Sequence, residues 1–506
     1  MTGYKTVTAI ISLKGGEMRI VKALGWGMLV LGLCFFAGSG RSTELRLMGM
    51  GDLRLVVEDE ANMINLYDFG GNVAGLYTDE PLSTLNGGFS YGTMSSSDSG
   101  GAIAAMPKIG YFGRPFQEVL MGFIPPSYQS GLPAGGPLGA DFTYRMEGAA
   151  VGITGDFAQA KATFEEMDPE QSITLNVFPS TMIEYNTLIA DQFSLGLQGG
   201  YARASQTTDP ETGELTMNHF GGGLGIGLLL SEGVTFGGTF NYLKPKFETK
   251  MDTTLIVDGD TLSLEDFSAD LDESGFGFGM QGIFEAPGVL KAGAKFGYNS
   301  LSGDASSVIS DSTIDMGSVK SSGLSLETKA LTTFPLVPVQ LGASFGYMSE
   351  SVKYEEPEGM EPAKQAELMG FEGDVSTIPI GFGIVYATPM VTAGGEFHYT
   401  MAKETPEGTD TTTNSSRLTF NLGTEVSFGA AAVRGGFVLA KSDPDKDVED
   451  DGLTTKKFTL GLGFTPPGSM LRGDFAYNYV TTSPDENEAE EKTTTNLFAL
   501  GVKLFF

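Results

Sequence analysis

What most constrains this chain is a rhythm of two residues that restarts many times. In Arg417–Phe428, Leu418, Phe420, Leu422, Val426 and Phe428 alternate with Arg417, Thr419, Asn421, Gly423, Glu425 and Ser427. Leu471, Phe475, Tyr477 and Tyr479 alternate in the same way with Arg472, Asp474 and Asn478. At the C-terminal end Phe498, Leu500, Val502, Leu504 and Phe506 form one apolar row, with Ala499, Gly501 and Lys503 on the other face. Successive side chains of a strand point to opposite faces, so each stretch reads as a strand with one greasy face and one mixed face. From about residue 171 onward the strands come in pairs joined by tight turns: Ser231-Glu232-Gly233, Ala286-Pro287-Gly288, Phe334–Pro338, Thr388-Pro389-Met390, Gly429-Ala430-Ala431 and Thr465–Ser469. Gly and Pro supply the dihedrals such turns require, and the period is that of antiparallel hairpins in series.

The connections at the other end of the hairpins read as long and acidic. Residues 252–273 hold Asp252, Asp258, Asp260, Glu265, Asp266, Asp270, Asp272 and Glu273 with no basic residue, and residues 443–451 and 485–491 repeat the theme. Beyond residue 40 no apolar run approaches the roughly 18–20 residues a spanning helix needs. If this chain crosses a membrane, strands must do it, and an open sheet edge in hydrocarbon would leave backbone groups unpaired. Short turns at one rim and long loops at the other are the pattern of outer-membrane barrels. The expected fold class is therefore all-β, a transmembrane antiparallel β-barrel preceded by an N-terminal plug. Fifteen strands are read from residue 171 onward and one more near 150–166, which makes sixteen within bounds of fourteen to eighteen. The eighteen-strand alternative uses strands near 86–96, 103–113 and 117–128 in place of the one near 150–166.

The one long apolar stretch, Ala23–Gly40, follows Arg19 and Lys22 and exits through small residues, the layout of a secretory signal peptide. Lys14–Met18 back-translates to a ribosome-binding-like run ahead of a start codon, so Met18 is the expected true start. The expected organisation is residues 1–41 as extension and signal, 42–85 as plug or hatch, and 86–506 as barrel. The whole chain has a formal charge of −32; residues 1–41 carry five basic side chains against Glu17, which leaves −36 for the rest. Cys34 and Trp26, the sole residues of their kinds, both lie in the signal. Leu33 is too large for the small residue that lipoprotein processing at Cys34 prefers. Such a charge argues against nucleic acid, because phosphate binding needs clustered Lys and Arg. The expected partners are outer-membrane lipid and lipopolysaccharide, with the acidic loops bridged loosely to lipid phosphates by divalent cations. No cofactor is expected. Asp443-x-Asp445-x-Asp447 is not a specific calcium loop, since Val448 stands where the turn needs Gly.

On the inward faces the alternation gathers charge: Glu396, His398, Arg417, Glu425, Arg434, Arg472 and Asp474 are expected to form a lumen network that sets structure or selectivity. Glu396 and His398 lie one pleat apart beside hydroxyls, which is the raw material of a serine hydrolase. No Ser is singled out by the sequence, so no catalytic residues are assigned and the chain is not expected to be an enzyme.

Residues 47–76 break the hairpin rhythm. Their Gly49-Met50-Gly51, Asp59-Glu60-Ala61-Asn62 and Asn72-Val73-Ala74-Gly75-Leu76 resemble the N-terminal hatch of the FadL-type family of outer-membrane transporters for hydrophobic compounds. The resemblance covers about thirty residues plus the barrel class, with Val73 at a position where the family has Pro and Asp68–Gly71 inserted before the motif. It implies a hatch in the lumen whose motif residues are Gly49, Gly51, Asp59, Asn72, Ala74 and Gly75. It also implies apolar or amphipathic ligands taken up passively. Separately, the terminal row Phe498, Leu500, Val502, Leu504 and Phe506, through its last Phe, resembles the recognition signal of the outer-membrane barrel-assembly machinery. Two other readings of the same pattern are a plugged barrel serving as a platform in export or surface assembly, and a general diffusion porin.

Overall fold

The computed structural model describes residues 42–53, 55–57, 84–96, 139–146, 149–164, 171–190, 192–209, 213–231, 233–257, 260–309, 312–334, 336–355, 373–406, 412–443, 452–466, 468, 470–484 and 493–505. Among them are one helix, α1 (Ser42–Gly49), and eighteen strands. The first nine strands are β1 (Thr84–Ser96), β2 (Gly139–Met146), β3 (Ala149–Phe164), β4 (Gln171–Ala190), β5 (Phe193–Asp209), β6 (Gly213–Ser231), β7 (Val234–Val257), β8 (Asp260–Ala286) and β9 (Leu290–Ile309). The second nine are β10 (Ser312–Thr333), β11 (Val339–Glu355), β12 (Gly373–Ala387), β13 (Val391–Pro406), β14 (Thr413–Phe428), β15 (Ala431–Asp443), β16 (Leu453–Phe464), β17 (Leu471–Pro484) and β18 (Thr493–Phe505).

Each strand pairs antiparallel with the next, and β18 pairs in turn with β1 from Thr84↔Phe505 to Ser96↔Thr493. The ladder therefore returns to its start. Its shortest joint is β1–β2, where only Thr84–Gly88 of β1 pair with β2. The strand from 149 and the fifteen from 171 stand where the sequence reading places them. The count is eighteen rather than sixteen because β1 and β2 also join the sheet. Of the alternative's three extra strands, the one near 86–96 corresponds to β1, while residues 103–113 and 117–128 lie outside the described residues.

Outward faces carry the greasy row. On β12 Ile380, Phe382, Ile384 and Tyr386 are exposed, on β14 Leu418, Phe420, Leu422 and Phe428, and on β16 Phe458, Leu460, Leu462 and Phe464. On the final strand Phe498, Leu500, Val502 and Leu504 are exposed while Leu497, Ala499 and Lys503 are buried. A water-soluble protein does not leave such rows uncovered. Repeated around a ring of strands, they form the apolar belt that lipid requires. Phe506 lies outside the described residues.

The acidic stretch 252–273 departs from expectation: residues 252–257 and 260–273 are strand rather than loop, because β7 runs to Val257 and β8 begins at Asp260. The 27 residues of β8 span on the order of 90 Å at about 3.3 Å per residue, several times the ~25 Å height of a lipid-facing band. The lipid-facing row of β8, Phe276, Phe278, Met280 and Phe284, occupies its turn-proximal end. Its acidic outer part therefore projects as a ribbon beyond the belt, where charge carries no lipid penalty. There Lys246 donates to Glu248 at 2.6 Å, which raises the lysine above its usual range and lowers the carboxylate below its own.

Candidate functional site

The hatch begins with α1, which lies inside the ring against β15–β18. The helix stops where Gly51 takes a φ of 71° and Asp52 follows at 57°. The Asp52 N–H bonds back to the Leu47 carbonyl at 2.9 Å, closing the last turn around a glycine in the left-handed conformation. Gly51 is needed twice over, since a Cβ there would also sit 2.4 Å from the Leu422 carbonyl oxygen.

The wall receives the hatch on a track of glycines. A Cβ on Gly423 would lie 1.8 Å from the Met50 carbonyl oxygen, one on Gly436 2.2 Å from the Gly51 nitrogen, and one on Gly461 3.0 Å from the Gly49 Cα. Backbone thus rests on backbone, a contact possible only where the wall lacks side chains. Beyond the bend, Val56 settles against Gly342 and Gly383. Leu47, Met50, Leu53, Leu55, Val56 and Val57 bury together with Val385, and Met48 buries with Ala476, Leu497 and Ala499.

Polar anchors fix the register. The Gly51 N–H donates to Thr459 Oγ1 at 3.1 Å and that hydroxyl donates to the Gly49 carbonyl at 3.0 Å. Asn421 Nδ2 donates to the Asp52 carbonyl at 3.2 Å, and Lys457 Nζ reaches the Asp52 carboxylate at 2.5 Å. The Leu55 and Val56 N–H groups both donate to Glu396 Oε1, at 2.6 and 2.9 Å. The other oxygen of Glu396 meets His398 Nε2 at 3.0 Å.

The third anchor is a buried charge chain. Arg46 bonds both oxygens of Glu425, at 2.9 and 3.0 Å; Arg434 Nε bonds Glu425 at 2.6 Å and its Nη1 bonds Asp474 at 2.5 Å; Arg472 adds a bond to Asp474 at 2.9 Å. Glu425 and Arg434 are direct cross-strand partners, whereas Arg434 and Asp474 are separated by β16. The guanidinium crosses that strand because Gly461 and Gly463 stand beneath it; a Cβ on Gly463 would lie 2.3 Å from Arg434 Nη2.

The residues expected to share one network therefore divide. Glu425, Arg434, Arg472 and Asp474 form one chain, and Glu396 with His398 a second site four residues away along the paired strands. Arg417 is bonded to neither among the described residues: it faces inward eight residues along β14 from Glu425, too far for contact, and stands opposite Thr400, two residues from His398. Of the hatch motif, Gly49 and Gly51 are placed, while Asp59, Asn72, Ala74 and Gly75 lie outside the described residues. Arg46, Asp52, Lys457, Thr459 and the wall glycines were missed. The signal that could have found the wall was glycine recurring at the inward positions Gly423, Gly436, Gly461 and Gly463. Glu396 has one oxygen committed to the hatch backbone, which makes it a fastening point.

The arrangement is a plugged β-barrel of the outer-membrane type. No protein-family model matches the sequence, and no curated protein does. Among solved structures the chain is similar to the CymD monoaromatic hydrocarbon channel, with 12% identity over 91% of this chain and 96% of that one and a TM-score of 0.36. It is similar also to the Pseudomonas putida toluene transporter TodX, with 9% identity over 92% and 98% and a TM-score of 0.37. A third similar structure is the ferric yersiniabactin uptake receptor FyuA from Yersinia pestis, with 11% identity over 85% and 81% and a TM-score of 0.46.

Proposed function

We propose that this chain is a channel of the bacterial outer membrane through which hydrophobic or amphipathic small molecules pass down their gradient. The observation that supports it most is the seating of the hatch. An apolar segment is held inside the lumen by hydrogen bonds and ion pairs that, among the described residues, include contacts to β13, β14 and β16. A hatch of this kind obstructs bulk water and polar solutes, while its buried leucines, valines and methionines offer an apolar route when they shift. The five-residue β1–β2 joint is the shortest in the wall and lies toward the turn end, which leaves Phe89–Ser96 of β1 paired only with β18 among the described strands. That is the part of the wall least costly to part sideways. Lipid contacts of the belt, assembly through the terminal strand and loose cation bridging at the acidic ribbons complete the proposal.

Liposomes carrying the purified barrel test it, with and without residues 42–57, by uptake of a small sugar and of an uncharged hydrophobic fluorophore. Fluorophore uptake with sugar exclusion is the expected result for the intact chain, and sugar entry once the hatch is removed. Sugar entry through the intact chain would establish the porin reading instead, and uptake of neither would leave the platform reading.

A further inference from the structure

The arc opposite the hatch anchors holds a carboxylate for which the channel account has no use. Glu273 on β8 points inward, is 0% exposed, and neither of its oxygens has a hydrogen-bond partner among the described residues. It lies three residues beyond Phe276, at the level where Lys244 and Asp272 form an exposed ion pair at 3.5 Å on the outer surface, hence just outside the lipid belt. The neighbouring cations are committed elsewhere, Lys244 to Asp272 and Lys246 to Glu248. The described side chains beside the carboxylate on the inward face are hydrocarbon. Leu243 on β7 and Leu301 on β9 meet over Gly275, two residues away on β8, and both are buried. Val319 on β10 lies across Gly303 from Glu273 and is 4% exposed. Gly303 is what admits the acid: a Cβ there would lie 2.6 Å from Glu273 Cγ.

We propose that this nest is a binding site for the ammonium group of an amphipathic amine. A desolvated carboxylate without a partner is costly, and a cation that brings its own apolar skeleton removes that cost while packing against the three aliphatic side chains as the nest opens to admit it. An alcohol would leave the charge unmet, and a carboxylate would be repelled. The acidic ribbon above the site, with Asp270 and Asp272 on the same strand, raises the local concentration of cations that reach it. The inference rests on the channel reading for the route by which the amine arrives, while binding itself can be measured apart from transport.

The experiment is calorimetric titration of the full chain in lipid nanodiscs at pH 8 with hexylamine, hexanol and hexanoate, for the unmodified protein, Glu273→Gln and Glu273→Asp. Hexylamine is expected to bind more tightly than the other two, to lose at least about tenfold in affinity in Glu273→Gln, and to keep most of it in Glu273→Asp. Heat-modifiable gel mobility verifies that each variant has assembled. Equal affinity for hexylamine and hexanol in the unmodified protein, or unchanged hexylamine affinity in assembled Glu273→Gln, would overturn the proposal. Uptake of an uncharged fluorophore in the same preparations separates the two readings: its failure counts against the channel, and not against the amine site.

Discussion

Substituting Gly423 by Ala tests the seating of the hatch with one carbon atom. The new Cβ would stand 1.8 Å from the Met50 carbonyl oxygen, a backbone atom that cannot swing aside. Restoring a contact of about 3.3 Å requires the hatch to retreat by roughly 1.5 Å. That displacement breaks the bonds from the Gly51 N–H to Thr459, from Thr459 to the Gly49 carbonyl and from Asn421 to the Asp52 carbonyl, at 3.1, 3.0 and 3.2 Å. At about 1 kcal/mol for each buried bond the hatch loses about 3 kcal/mol, roughly a hundredfold in its seated-to-open ratio. The assay uses Leu53→Cys, a fully buried hatch position in a chain whose sole natural cysteine is Cys34. Maleimide labelling of the introduced thiol should accelerate by about that factor in Gly423→Ala, because labelling follows the open fraction when reclosing is fast. Gly473→Ala is the control, since nothing lies within 4 Å of its Cβ position. Equal labelling rates in Gly423→Ala and Gly473→Ala would refute the reasoning.

Further outcomes follow from the same geometry. Glu425→Gln removes the charge shared by Arg46 and Arg434, leaves Arg434 4% exposed beside Asp474 alone, and should destabilise the hatch by about 3 kcal/mol, seen as faster labelling of the same hatch thiol with unaltered barrel mobility on gels. Glu396→Ala should free the Leu55 and Val56 amides and raise their hydrogen-exchange rates, whereas Glu396→Gln, which keeps an acceptor oxygen, should do so far less. Leu460→Asp on the lipid face should cut assembly yield in lipid while Thr459→Ala, one residue away but inward, spares it. For the outer ribbon the folded-state carboxyl of Glu248 is lowered from 4.5, so its contribution is complete above that value and lost as pH falls through the lowered one. Lys246 is raised from 10.5, so its contribution is complete below that value and lost as pH rises through the raised one. Both side chains are about a third exposed and screened by solvent, so Glu248→Gln should alter stability at pH 7 by less than about 0.5 kcal/mol, checked by thermal melts at pH 3, 7 and 11.

Much of the fold was legible because lipid imposes a period. The outward rows in β14, β17 and β18 and every tight turn from Ser231 onward needed only alternation and turn chemistry. The length of the central strands was not legible: outside the belt a strand in water carries acid as readily as a loop does, so 252–273 read as loop. Inward charge could be seen as inward but not as connected. Whether Arg434 reaches Asp474 depends on Gly461 and Gly463 on the intervening strand, and whether Arg417 joins depends on a distance along β14. Arg46 and Asp52 were overlooked because, before the hatch is seated, nothing distinguishes an arginine in a short helix from a solvated one. The glycine track was visible as composition, yet its purpose appears only when Met50 and Gly51 lie on it.

The central claim, that passage requires the hatch to leave its seat, is tested most directly by fastening it there. Met48 and Ala476 are buried in one cluster, so Met48→Cys with Ala476→Cys places two thiols between hatch and wall. Fluorophore uptake by liposomes carrying this variant should stop on oxidation to the disulfide and return on reduction, with each single-cysteine variant unaffected. Undiminished uptake by the fully cross-linked protein would contradict the account.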